Sequence, residues 1–222
     1  MIQNYGLMVA AVVILAGCSA QGGTMAPVED RTGAPNNSAN YGNTVVAQPA
    51  SKTEVKRPEQ AFVSDVTYVE SHRGTHYLSL VTDAYSRKIM GYEVSDDLKA
   101  EHMVNALKHA IKNRITKTCA IHHSDRGLQY CSKQYQDVLQ HHQIQPSMTD
   151  GYDCYQNALA ERINGILKQE FLITKCNDME QLKEVVKQSI DIYNRYRPHL
   201  SLGMQTPEQV HQKRPTAKHH WP

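Results

Sequence analysis

Three carboxylates, set unevenly along alternating strand and helix signals, constrain this chain more than any other feature. Asp65 falls in the middle of a Val/Thr/Tyr-rich segment, 62 to 69, where β-branched and aromatic residues predict a strand. Asp125 follows a short apolar run, 119 to 121, that reads as a buried strand, so it stands where a strand gives way to a loop. Glu161 belongs to a helix predicted over 157 to 171. Between the first two carboxylates lie 59 residues, and between the second and third lie 35. At about 100° per residue, Ala160, Ile163, Leu167 and Phe171 share the inward face of that helix, while Glu161 and Lys168 project within about 20° of each other. Asn164 and Gly165 flank that second face, which is left free for chemistry.

Five ordered motifs surround these residues: Val63-Ser-Asp65-Val-Thr-Tyr68, Asp83-Ala-Tyr-Ser-Arg87, His123-Ser-Asp125-Arg-Gly127-Leu-Gln-Tyr130, Asn157-Ala-Leu-Ala-Glu161-Arg-Ile-Asn-Gly165-Ile-Leu-Lys168 and Tyr193-Asn-Arg-Tyr-Arg197-Pro-His. From 57 to 213 the chain resembles the integrase-core subunit of bacterial insertion-sequence transposases of the IS-three family, which are DDE transposases related to retroviral integrases. The resemblance implies an α/β, ribonuclease H-like fold, a mixed sheet flanked by helices. It implies Asp65, Asp125 and Glu161 as catalytic residues and as ligands of two Mg²⁺ or Mn²⁺ ions, since hard cations prefer oxygen ligands. Two such ions activate an attacking oxygen and stabilise the leaving one at phosphorus, so no nucleophilic side chain or general-base histidine is needed. In that family water first frees a DNA 3′-hydroxyl, which then attacks target DNA. Lys168, Asn164 and Arg126 become DNA contacts by the same match. The implied partners are DNA, further copies of the chain, and a separate helix-turn-helix subunit or domain that recognises element ends.

Periodicity alone supports an α/β domain. Strands are predicted at 62 to 70, 76 to 82 and 88 to 94, with turn-length breaks that suggest an antiparallel meander. An amphipathic helix at 100 to 112, with Met103, Ala106, Leu107, Ala110 and Ile111 on one face, should cover the sheet. A strand at 119 to 123, a helix at 133 to 141 and a short extended run at 144 to 147 complete a β-β-β-α-β-α-β order. A polar loop, 149 to 155, leads into the carboxylate helix, and a further helix runs from 179 to 196. The segments around Pro198 and Pro207 read as extended, and the tail from 214 as loose.

Several other residues invite a role. Adjacent histidines on a strand, such as His122 and His123, point to opposite faces and cannot easily share an ion; His123 is expected to brace the Asp125 loop. Asp83 reads as turn chemistry. Tyr193, Tyr196, Arg195 and Arg197 offer stacking and charge to nucleic acid, or else pack a helix end. The five cysteines, at 18, 119, 131, 154 and 176, have no Cys-x-x-Cys spacing, which argues against a zinc ribbon or finger.

The first 20 residues differ from the rest. Residues 7 to 15 form an apolar run too short to span a bilayer, ending in Leu15-Ala-Gly-Cys18, and no Lys or Arg precedes it. This resembles a bacterial lipoprotein signal, which implies lipidation of Cys18 and a membrane anchor. Residues 21 to 56, rich in Gly, Ala, Pro, Asn, Ser and Thr and without periodicity, are expected to be a disordered linker. The family's upstream helix-turn-helix region has no counterpart here, so a truncated or fused transposase is one reading, acting in the cytoplasm. The other is an inactive lipid-anchored lipoprotein that carries the core as a passenger. Net charge is only +2, with 10 Lys/Arg against 6 Asp/Glu from Arg162 onward, so any phosphate-binding surplus is C-terminal.

Overall fold

The computed structural model describes residues 55–148, 158–172 and 175–213. The leader with Cys18, the linker as far as 54, the loop containing Cys154 and the tail from 214 lie outside the described residues.

β1 (Ala61–Ser71) pairs antiparallel with β2 (Gly74–Asp83), which pairs antiparallel with β3 (Ile89–Ser95), giving the expected meander. After α1 (Ala100–Lys112) the chain returns through β4 (Ala120–Ser124), parallel to β1. α2 (Lys133–His141) then leads to β5 (Ile144–Met148), parallel to β4. The sheet order is β3-β2-β1-β4-β5, with the long central strand carrying the antiparallel half on one side and the parallel half on the other. α3 (Ala158–Ile166), α4 (Met179–Arg195) and α5 (Pro207–Gln212) complete the domain.

The period-2 alternation of β1 divides the interior into two layers. Phe62 joins Met90, Met103, Leu107, Tyr135 and Leu139 beneath α1 and α2. Val69, with the opposite parity, joins Leu78, Leu80, Ile163, Leu167, Val186 and Tyr193 beneath α3 and α4. α1 approaches β3 at Gly91, where a Cβ would stand 2.2 Å from the Ala106 carbonyl oxygen and 2.4 Å from the Ala110 nitrogen. Only glycine allows the two backbones to come this close.

β3 is an edge strand whose outward backbone groups are taken up by side chains, one of the devices that blunts a sheet edge. The Ile89 N–H donates to Asn194 Oδ1 at 2.9 Å and the Ile89 carbonyl accepts from Asn194 Nδ2 at 3.0 Å. Asn113 Nδ2 donates to the Met90 carbonyl at 2.9 Å.

Two local expectations change. The carboxylate helix is α-helical only to Ile166; Leu167–Phe171 form a π-helical turn. The segment after Gln205 is helical, because Thr206 and Gln209 form a capping box and Pro207 starts α5. Thr206-Pro-Glu-Gln carries that signal in full: a capping hydroxyl, a proline in the first turn and a glutamine three residues on. Among the described residues no helix is long and apolar enough to cross a membrane.

Candidate active site

The parallel pairing of β1 with β4 sets Phe62 beside His122 and Val63 beside His123. The ladder ends there; Asp65 lies two residues further along β1 and Asp125 just past the C-terminal end of β4, near enough for the charge of Asp125 to act on Asp65. Clefts outside the carboxyl ends of parallel strands are where α/β sheets hold ligands.

α3 crosses this face. Asn164 Nδ2 donates to Asp65 Oδ2 at 2.7 Å, and Lys168 Nζ donates to Thr67 Oγ1 at 3.3 Å. Asp65 and Thr67 are two apart on a strand and so share a face, while Glu161, Asn164 and Lys168 follow one another at helical spacing. The stripe therefore lies over β1 with Glu161 a turn before the Asn164 contact. The π-helical turn begins between Asn164 and Lys168, and such turns are frequent at functional sites.

Electrostatics tie the three acids together. Burial, reinforced by the negative charges of Asp125 and Glu161, pushes the Asp65 carboxyl from 3.8 up to about 6, although the Val66 backbone and Asn164 donate to it. Asp125 is exposed, and its Oδ1 accepts from the Gly127 N–H at 3.0 Å, an Asx-type turn that orients the carboxylate. A Cβ at Gly127 would lie 3.0 Å from that same oxygen, so the turn favours glycine. Arg126 is exposed next to Asp125, and Glu161 is exposed on α3.

The opposite face of β4 is packed shut. His122 is buried with Ser64 Oγ and the Tyr135 hydroxyl on its Nε2, at 2.7 and 2.9 Å. Burial, helped by neighbouring His123, lowers its pKa to about 3, so the ring is neutral and turned away from the carboxylates. His123 does not brace the Asp125 loop; its Nδ1 bonds to Ser147 Oγ on β5 at 3.1 Å, because the loop turns on Gly127 instead. Tyr130, which sequence reasoning gave no role, is 4% exposed beneath the acids. Burial and the charges of Tyr135, Asp65 and Asp125 hold its hydroxyl well above the usual range.

Most of the C-terminal motif is structural. The Tyr193 hydroxyl donates to the Arg87 carbonyl at 3.0 Å, and Arg197 forms a two-pronged ion pair with Glu170 at 2.6 and 2.5 Å. Arg195 pairs with Asp191 at 2.9 Å, while Tyr196 remains 69% exposed.

The donor set at the cleft is all carboxylate oxygen, the chemistry of Mg²⁺ or Mn²⁺ sites. Like charges close enough to raise Asp65 are what a bound cation would relieve. Among the described residues no three His, Cys, Asp or Glu groups yet stand close enough to share one ion. Asp125 and Glu161 are both exposed, whereas Asp65 is partly buried.

Comparison with known proteins bears on the family and the fold. The integrase core domain matches at residues 55–154 and again at 142–207. The uncharacterized 31 kDa protein of insertion element IS600 from Shigella sonnei is 34% identical over 158 residues, covering 70% of this chain and 58% of that protein. Transposase InsF for insertion sequence IS3A from Escherichia coli K12 is 35% identical over 158 residues, covering 70% of this chain and 55% of that protein. The chain thus spans about half the length of the curated relatives it matches. In structure, the HTLV-2 integrase catalytic core domain superposes with a TM-score of 0.57 at 19% identity, over 70% of this chain and 98% of that one. The BIV integrase catalytic core gives a TM-score of 0.55 at 15% identity, over 69% and 93%. Residues 55–207 therefore belong to the integrase core domain family, on a ribonuclease H-like mixed sheet flanked by helices.

Proposed function

We propose that this chain cleaves and joins DNA strands in transposition, with Asp65, Asp125 and Glu161 holding two Mg²⁺ or Mn²⁺ ions. The observation that carries the reading is the placement of α3, with Glu161, across the β1 face that holds Asp65, fixed by the 2.7 Å bond from Asn164 to Asp65. Burial first, and then the charges of Asp125 and Glu161, raise Asp65 to about 6. When bound, such ions supply activation of the attacking oxygen and stabilisation of the leaving one during in-line displacement at phosphorus. The protein's own residues set the stage. Asp125 is oriented by the Gly127 amide, and Lys168, steadied on Thr67, offers a point charge to a backbone phosphate. Arg126 supplies a second exposed cation beside Asp125. Recognition of element ends falls to a separate helix-turn-helix subunit or domain in this reading, and the core works as a multimer on DNA in the cytoplasm.

The test is a labelled duplex oligonucleotide incubated with the purified chain and Mg²⁺ or Mn²⁺. Cleavage or strand joining should require the cation and fall to background in Asp65→Asn, Asp125→Asn and Glu161→Gln. Near wild-type activity in the Glu161→Gln protein would sink the assignment.

A lipid-anchored, inactive form is the second reading, favoured by the apolar run that ends at Cys18. Acyl chains contribute about 0.8 kcal/mol of membrane affinity per buried CH₂, so a multiply acylated Cys18 would anchor the chain firmly. Labelled palmitate fed to cells making the chain and its Cys18→Ala variant decides it: label only in the former supports the anchor, and label in neither removes it.

A further inference from the structure

The geometry points to Asn164 as the positioning residue of Asp65, not a contact to DNA; this rests on the metal-dependent reading above. Asn164 is 5% exposed, which leaves its amide little surface to offer a nucleic acid. Its Nδ2 donates to Asp65 Oδ2 at 2.7 Å. The opposite amide orientation would set two acceptor oxygens against each other, so the carboxylate fixes which way the amide faces. That orientation leaves Asn164 Oδ1 buried without a protein partner. A buried amide kept only for packing is ordinarily bonded at both ends, and an exception calls for an explanation. Here the explanation is that the amide is kept for the end committed to Asp65, at the expense of the other.

The contact also settles what Asp65 can do. With Oδ2 held from α3 and the Val66 backbone donating as well, the carboxylate cannot spin freely, so its orientation toward a cation is set by these donors. The hold is indexed to the helix, because Lys168, four residues on, is bonded to Thr67 on the same strand face. Outer partners of this kind typically change metal affinity or activity by 10- to 100-fold when removed.

The experiment titrates Mn²⁺ into the full 222-residue chain without DNA, following the loss of the free-Mn²⁺ paramagnetic resonance signal. Wild type, Asp65→Asn, Asn164→Leu and Asn164→Ala are compared. Leucine keeps the buried volume, and alanine is the best helix former if leucine fails to fold. The expected result is a Mn²⁺ half-saturation raised at least about tenfold in both Asn164 variants, with circular dichroism unchanged. If wild type binds and Asp65→Asn does not, but the Asn164 variants bind like wild type, the positioning role is overturned while the metal site stands. Unchanged Mn²⁺ binding with weakened DNA affinity in EDTA would return Asn164 to the DNA contacts. If wild type itself binds no Mn²⁺, the metal-dependent reading fails and takes this inference with it.

Discussion

His211, on the last helix, lies with Nε2 3.4 Å from Oε1 of Glu59, the residue that leads the chain into β1. Its Nδ1 lies 3.5 Å from Asp83 Oδ2, and all three side chains are almost wholly buried. Burial pushes Glu59 up, but the neighbouring His211 and hydrogen bonds from Thr116 and the Ile115 backbone outweigh it and hold the carboxyl at about 2. Burial pushes His211 down, yet Asp83 and Glu59 more than compensate, and its pKa ends above 6.5. The stability supplied by Glu59 is complete above 4.5 and lost as pH falls through about 2. That supplied by His211 is complete below 6.5 and lost as pH rises through the raised value. His211→Ala removes a cation from between two buried carboxylates, Glu59 keeping Arg114 Nε at 3.8 Å, and should cost about 3 kcal/mol near pH 6. The deficit should shrink on the alkaline side, as read from urea midpoints between pH 5 and 9. A deficit independent of pH would show that packing alone holds α5.

A second prediction concerns the β3 edge. Asn194 satisfies both the N–H and the carbonyl of Ile89, a residue only 4% exposed. Asn194→Ala leaves two buried backbone groups unpaired, at about 1–3 kcal/mol each. Its unfolding midpoint should drop by the equivalent of about 3 kcal/mol, and amide exchange at Ile89 should accelerate. Asn194→Ala with an unchanged midpoint would mean water replaces the amide freely.

Gly91→Ala should be worse. The added methyl meets the Ala106 carbonyl oxygen and the Ala110 nitrogen, both backbone atoms of α1 that cannot move aside alone. Overpacking commonly costs 1–3 kcal/mol, and a clash with helix backbone should exceed about 4 kcal/mol. The protein is expected in the insoluble fraction at 37 °C; a soluble variant with a native midpoint would show that α1 shifts cheaply.

Much of this was legible in the residues because it is local. β-branched and aromatic residues placed Asp65 in a strand, and apolar spacing put Ile163 and Leu167 of the carboxylate helix in the core. What stayed hidden is long-range or conformational. Nothing near Glu59 in sequence announces His211, and Asp83 looked like a turn residue because it is one: its Oδ2 accepts from the Ser86 N–H at 2.8 Å. The same carboxylate also meets His211, a contact only the folded chain brings about. A wheel at constant pitch could not foresee the π-helical turn at Leu167, so it gave Lys168 a direction without its Thr67 partner. Asn164 was visible as a neighbour of Glu161, but its bond to Asp65 depends on how α3 lies across β1.

The last prediction sets activity against stability at Asp65. Its folded pKa of about 6 exceeds the ordinary 3.8, so between those values the native state binds more proton than the unfolded chain. Stability therefore falls as pH rises through that window, the reverse of a salt-bridged aspartate. Ionising a carboxyl raised from 3.8 to about 6, tempered by its partial exposure, costs on the order of 2 kcal/mol above pH 6. Asp65→Asn removes the charge and still accepts the Asn164 hydrogen bond through its amide oxygen. In cation-free buffer at pH 7.5 it should be more stable than wild type by that order, and below pH 3.8 the two should coincide. DNA cleavage by the variant should be at background throughout. Saturating Mn²⁺ should raise the midpoint of wild type alone, because a ligand that binds only the folded state stabilises it by mass action. Equal stability of the two proteins at pH 7.5 without cation would mean that Asp65 is better solvated than its place beside Asp125 and Asn164 requires.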